Sequence, residues 1–178
     1  MRTDKLRQEF DLRIRWSVFP LHPDIPEEGL ELTDLFAGRM DIDAMLQRLD
    51  QVASELGLPL KPRTRTCNSR RAQELGKWAE EQGVGEAFHK AVYHAYFVDG
   101  RNIALPTELA TIAAALGLDG DQARQVIKTQ SYSAAVEADW KRAAELGVTA
   151  VPTSIYNNQA LVGFQPYAHY RRLIATAD

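Results

Sequence analysis

Cys67 is the single cysteine of the sequence. Thiol–disulfide exchange needs a thiolate nucleophile and a second thiol to resolve the mixed disulfide. One thiol also rules out an intrachain disulfide and a Cys-based zinc cluster. Cys67 stands just before Asn68-Ser69, residues that can cap a helix, and close to Arg65, Arg70 and Arg71. A helix N-terminus with nearby cations favours the thiolate form, which would suit a monothiol site or an oxidation sensor. Free cysteines are also among the most buried residue types, and a structural or incidental Cys67 is the stronger of the two readings.

The other chemistry-bearing residues are less pointed. Lys61, Arg63, Arg65, Arg70 and Arg71 form a dense basic run. The chain as a whole carries a net charge of −3 with a pI near 5.8, which excludes nucleic acid as the main partner. The run reads as a solvated face able to attract an anionic small molecule. His22, His89, His94 and His169 lack metal-ligand spacing, so no metal site is expected. Asp99-Gly100-Arg101 reads as a turn with an ion pair, and Tyr93, Tyr96 and Phe97 as core at helical spacing. Val151-Pro152 opens a short strand, where proline is tolerated at an edge. No phosphate loop, nucleophile elbow or paired-carboxylate motif is present.

The elements that would position these residues follow from periodicity. Thr3 to Phe10 reads as the end of an amphipathic helix. Leu12, Ile14, Trp16 and Val18 alternate with polar residues, the pattern of a strand with one face buried. Pro20, Pro23 and Pro26 make the next stretch an ordered loop. Helices are then predicted from Asp41 to Leu56, from Asn68 or Ser69 to about Gln82, and through the Ala87–Tyr96 stripe. Others follow at Thr107–Leu116, at Asp119–Lys128 with a capping-box-like start, and at Ser133–Leu146. Gly57, Gly83, Gly117 and Gly147 are their natural stops. Thr153–Tyr156 and Ala160–Val162 read as a hairpin around Asn157-Asn158, and Tyr167–Ile174 as a closing helix. Terminal strands flanking a helical block must meet in one sheet to bury their apolar faces, which makes the fold α/β.

At 178 residues, with 45% hydrophobic and 25% charged residues, the chain suits one domain with an insertion. No apolar run is long enough for a membrane span, and Met1–Glu9 has no signal-peptide core. The expected location is therefore cytoplasmic, with no membrane partner.

Three stretches carry a family resemblance. Arg15 to Gly29, with Trp16-Ser17-Val18-Phe19-Pro20 at its start, resembles the strand and loop of DsbA-family proteins of the FrnE type. Tyr96-Phe97-Val98-Asp99-Gly100-Arg101-Asn102-Ile103 is similar to their helical-insert motif. Gly147-Val148-Thr149-Ala150-Val151-Pro152-Thr153, with Gly163-Phe164-Gln165-Pro166 beyond the hairpin, is similar to their signature tail. The likeness runs along nearly the whole chain in the same order. It implies a thioredoxin-like sheet, here residues 1–30 with 147–178, and a large inserted helical domain over 31–146.

By that resemblance a strand and a Cys-Pro-Trp-Cys turn should precede Met1–Phe10, which matches only the later part of the helix that follows them. The N-terminal β-strand and the CxxC segment are absent from this sequence. The strand would lie between Leu12–Val18 and Thr153–Tyr156, so both would be left with bare edges. A start misassigned to an internal methionine is the favoured explanation, ahead of a deliberate truncation or a segment supplied by a partner chain.

The resemblance also implies a cis bond at Val151-Pro152, with the Val151–Thr153 loop binding an extended peptide or thiol ligand by strand addition. Related glutathione-dependent isomerases use polar residues near the helix start that corresponds to Asn68. The expected function is thus that of a thiol-disulfide oxidoreductase relative, inactive in dithiol exchange as given. The alternatives are a glutathione-dependent isomerase of the 2-hydroxychromene-2-carboxylate type and a non-catalytic peptide- or thiol-binding module. No cofactor is expected beyond glutathione as co-substrate, and a homodimer would cover the bare edge.

Overall fold

The computed structural model describes residues 2–175; the expectation placed on Met1 lies outside them. The chain divides into two compact units, Met1–Leu21 with Glu137–Asp178, and His22–Val136.

The second of these is helical. α1 (Arg2–Phe10) belongs to the first unit, and His22–Val136 opens with β1 (Leu30–Glu31), α2 (Leu32–Phe36) and α3 (Ile42–Glu55). There follow β2 (Arg65–Thr66), α4 (Arg70–Glu81), α5 (Gly85–Phe97), α6 (Pro106–Ala115) and α7 (Gly120–Thr129). Local chemistry sets the helix boundaries. Asp41 accepts from Ala44 N at the start of α3, and Asp119 accepts from the amides of Asp121 and Gln122 at the start of α7. Gly57 and Gly117 take positive φ just beyond α3 and α6, where a side chain would be strained. The core lies among α4 to α7, where Leu75, Trp78, Phe88, Leu109, Ile112 and Ile127 are buried together. β1 and β2 pair antiparallel as Leu30 with Thr66 and Glu31 with Arg65.

In the unit formed by the two chain ends, α8 (Ser133–Glu145) enters from the helical unit. β3 (Thr153–Tyr156) and β4 (Gln159–Val162) then form an antiparallel hairpin, and α9 (Tyr167–Ala175) closes the described chain. Asn157 and Asn158 both have positive φ, as a two-residue type I′ turn requires. α9 packs beside β4 and α1. Glu9 of α1 binds Arg171 of α9 and accepts a hydrogen bond from Tyr167, which holds its carboxyl below the usual range.

The predicted strand over Leu12–Val18 is not formed: residues 11–20 carry no regular secondary structure. Leu12 and Ile14 are still more covered than Asp11, Arg13 and Arg15, but Trp16 is exposed, so the alternation in burial holds only for the first half of the segment. What is lacking is a partner for the ladder, without which a strand's backbone groups go unpaired. Accordingly the terminal strands do not meet in one sheet, and the sheets are two separate pairs, β1–β2 and β3–β4.

Candidate functional site

Cys67 and Asn68 sit together at the start of α4, whereas Val151, Pro152 and Thr153 belong to the other unit. The Cys67 thiol is partly buried. Burial pushes its pKa up, against smaller opposite effects from the backbone of Ile103 and Ala104 and from the Arg63 charge. Arg65, Arg70 and Arg71, expected to favour the thiolate, have no part in that balance because each is engaged elsewhere. Arg65 pairs with Glu31 at 2.7 Å and donates to the carbonyls of Glu28 and Gly29. Arg70 pairs with Glu74 at 2.7 Å and with Ser133 Oγ at 2.6 Å. Arg71 binds Glu27 and donates to Ala104 O at 2.9 Å. Arg65 and Arg71 thus tie the 27–31 stretch to β2 and α4, while Arg70 ties α4 to Ser133.

Arg63 is held differently. Its guanidinium lies over the rings of Tyr96, at 4.6 Å, and Phe97, at 5.3 Å, and donates to Tyr96 Oη and to Arg65 O. Tyr96 Oη also meets Thr66 Oγ1 at 2.9 Å, and burial raises its pKa. Among the described residues no carboxylate pairs with Arg63 or with Lys61. Tyr93, read as core, has an exposed side chain and stacks between His89 and Phe97.

Asn68 spends its side chain on the protein. Its amide donates to Pro23 O and Ile25 O, both at 2.8 Å, while Oδ1 accepts from Arg70 N at 2.8 Å. It thus pins the proline-rich loop and caps the first turn of α4. The expected ion pair between Asp99 and Arg101 is absent. Arg101 binds Glu108, and Asp99 faces His94 Nδ1 at 3.4 Å, because the turn points the two side chains at different helices.

At the other locus the Val151–Pro152 peptide bond is cis. Thr153 Oγ1 donates to Ala150 O at 2.6 Å, and Pro152 O accepts from Gly163 N at 2.7 Å. Val151 is 43% exposed.

A residue that the sequence reading passed over is Asp139 on α8, which is only 2% exposed. Its Oδ1 accepts from Arg15 at 2.9 Å and its Oδ2 from the Val18 amide at 3.1 Å. It therefore holds Arg15 and Val18 of the irregular Leu12–Val18 segment where a ladder would otherwise do so. A signal was available: Asp139 lies on the same helical face as Val136, Trp140 and Ala143, and an acid in an apolar stripe must find partners.

Among the described residues no group of three or more His, Cys, Asp or Glu is placed to hold a metal, and no helix is long and apolar enough to cross a membrane.

A helical unit joined to a hairpin that opens on a cis-proline, with a covered single thiol, defines a class that comparison names. Residues 1–175 match the DSBA-like thioredoxin domain, and the chain belongs to that family. It is 25% identical over 155 residues to the uncharacterized protein YwbO of Bacillus subtilis, covering 86% of this chain and 76% of that protein. A probable DsbA oxidoreductase of Streptomyces coelicolor, also 25% identical, superposes with a TM-score of 0.80 over 88% of this chain and 71% of its own. A 2-hydroxychromene-2-carboxylate isomerase matches at 19% identity and a TM-score of 0.72, over 99% of this chain and 85% of its own. The cytosolic disulfide reductase DsbM of Pseudomonas aeruginosa matches at 20% identity and 0.53, over 71% of each chain. The last two likenesses show the shared fold.

Proposed function

We propose that this chain is a DsbA-family scaffold of the FrnE type that binds thiol or disulfide ligands and has no dithiol exchange of its own. The observation that carries this reading is the state of its single thiol: Cys67 is partly buried, and its pKa is raised rather than lowered. Exchange proceeds through a thiolate and is completed by a second thiol. Neither requirement is met by the residues of this sequence.

The ligand is read onto Val151, Pro152 and Thr153, where an extended peptide would add to the exposed edge of β3. Residues 1–30 with 147–178 are read as the thioredoxin-like part and 31–146 as the insert. The two compact units support a division of that kind, with breaks after Leu21 and Val136. A glutathione-using isomerase is the second reading. Lys61 and Arg63 favour it, as the two cations of the basic run left without a carboxylate.

Insulin reduction with dithiothreitol as electron donor tests the main reading. No turnover above the uncatalysed blank is expected for this chain, and clear turnover would refute it. Calorimetry with reduced glutathione separates the two readings. Heat of binding that is lost in Arg63→Ala supports the isomerase, and heat that survives in Arg63→Ala supports the binding scaffold with its ligand at Val151–Thr153.

A further inference from the structure

Within the helical unit, Arg63 is fixed in place before any ligand arrives. The rings of Tyr96 and Phe97 lie against its guanidinium, and Nη1 donates to Tyr96 Oη and to Arg65 O. Nε is buried and has no partner. Nη2 is not sealed in this way, and it too has no partner among the described residues. A donor immobilised by its own fold loses little further freedom when it binds. Its charge is also left uncancelled. Burial pushes the Tyr96 phenol up, so the oxygen that accepts from Nη1 stays neutral, and burial raises the Cys67 thiol in the same way. Glu31 is held by Arg65 at 2.7 Å, and Asp99 faces His94 at 3.4 Å.

Lys61 brings a second cation to the same end of α5. Its amide donates to Phe97 O at 2.8 Å. Its side chain lies along Gly100, with Nζ 3.7 Å from where a Cβ on that glycine would stand. The negative end of α5 favours cations here, yet it holds Lys61 by the backbone amide and leaves the ammonium without a carboxylate. Tyr93, one turn back on α5, stacks on Phe97 with centroids 5.4 Å apart and is 53% exposed. An aromatic surface therefore adjoins the two cations.

The pattern of donors selects the ligand. A carboxylate is matched by the two-pronged fork of an arginine. Here one prong is occupied by Tyr96 and Nε is enclosed, so no fork remains. What is left is a single N–H and an ammonium, two separate donors. A tetrahedral oxyanion has oxygens for both, and a phosphomonoester brings a charge of about −1.5 to −2 to two uncancelled cations. We propose that Lys61 and Arg63 bind the phosphate of an aromatic phosphomonoester whose ring lies on Tyr93. These are the cations that the isomerase reading gives to glutathione, whose acids are carboxylates. The phosphate site is thus a rival of that reading and does not rest on it.

Titration of the 15N-labelled chain, followed by NMR at a pH where the phosphate is doubly charged, tests the proposal with phenyl phosphate, inorganic phosphate and benzoate. Phenyl phosphate should move the amides of Lys61, Phe97 and Gly100 to saturation, and inorganic phosphate should move the same amides more weakly. Benzoate, of one charge and carboxylate shape, should bind about fivefold more weakly than phenyl phosphate or worse. Lys61→Gln should weaken phenyl phosphate by roughly fivefold or more, by loss of one of the two charges. Tyr93→Ala should weaken phenyl phosphate and leave inorganic phosphate unchanged. Several results would overturn the site: no saturable shift at these amides, benzoate binding as tightly as phenyl phosphate, or Lys61→Gln binding like wild type. Shifts confined to Val151 and Thr153 would place the ligand elsewhere and do the same. Reduced glutathione moving the Lys61, Phe97 and Gly100 amides at lower concentration than phenyl phosphate would give the cations to the isomerase reading instead. Arg63→Ala removes a side chain packed on two rings; should it fail to fold, the exposed Lys61→Gln still decides.

Discussion

In the unit His22–Val136, Leu75, Phe88 and Leu109 are wholly enclosed within a cluster drawn from α4 to α7. Across the unit made of the chain ends, the buried residues among those described are Leu6, Asp139 and Ala143. The first has the side-chain packing of a self-sufficient helical domain. The second has strand-forming sequence, a hairpin with both faces partly wet, and a buried carboxylate in place of a ladder. Similar amphipathic patterning thus ends in different packing. Helices complete their hydrogen bonds locally, but a strand needs a neighbour.

Truncation mutants should break or sharpen this contrast. Leu109→Ala in the helical core should cost about 3 kcal/mol or more, lowering Tm by roughly 6–12 °C in a chain of this size. Val162→Ala on the hairpin should stay within about 0.5 kcal/mol, as exposed positions do. Thermal unfolding followed by circular dichroism compares the two directly, and equal losses would erase the distinction.

A smaller effect is expected at Asp139. Asp139→Ala leaves the Val18 amide without its acceptor and should cost about 1–3 kcal/mol. Arg15→Ala should cost under about 1 kcal/mol, because the Arg15 side chain is 68% exposed and water can take its place. Hydrogen exchange at the Val18 amide checks the assignment. Asp139→Ala should speed it strongly, and Arg15→Ala should not.

Much of the helical unit was legible in sequence because its signals are local. Asp41, Asp119, Gly57 and Gly117 each mark a helix end through a cap or a left-handed residue within a few positions. The Asn157-Asn158 turn was legible for the same reason. The β1–β2 pair was not, since two-residue strands leave no periodicity and Leu30 meets Thr66 only after a long loop closes. The partners of the arginines were hidden similarly: Glu27 and Glu31 lie far from Arg71 and Arg65 in the chain. Leu12–Val18 shows the opposite failure. Its strand signal is clear, and what decides the outcome is a partner that no local pattern supplies.

Cys67 is where the functional account stands most exposed. Its raised pKa means that the fold favours the protonated thiol. That contribution to stability is fully present below the pKa of the unfolded thiol and is lost as pH rises through the higher folded value. The most direct measurement is the rate of Cys67 alkylation by iodoacetamide in the native chain, followed from about pH 6 to pH 10 and compared with the chain unfolded in urea. A slow native rate at neutral pH, rising only above the range of the unfolded chain, is the predicted result. A native thiol already reacting faster than the unfolded one at neutral pH would contradict the account and return Cys67 to the chemistry of the site.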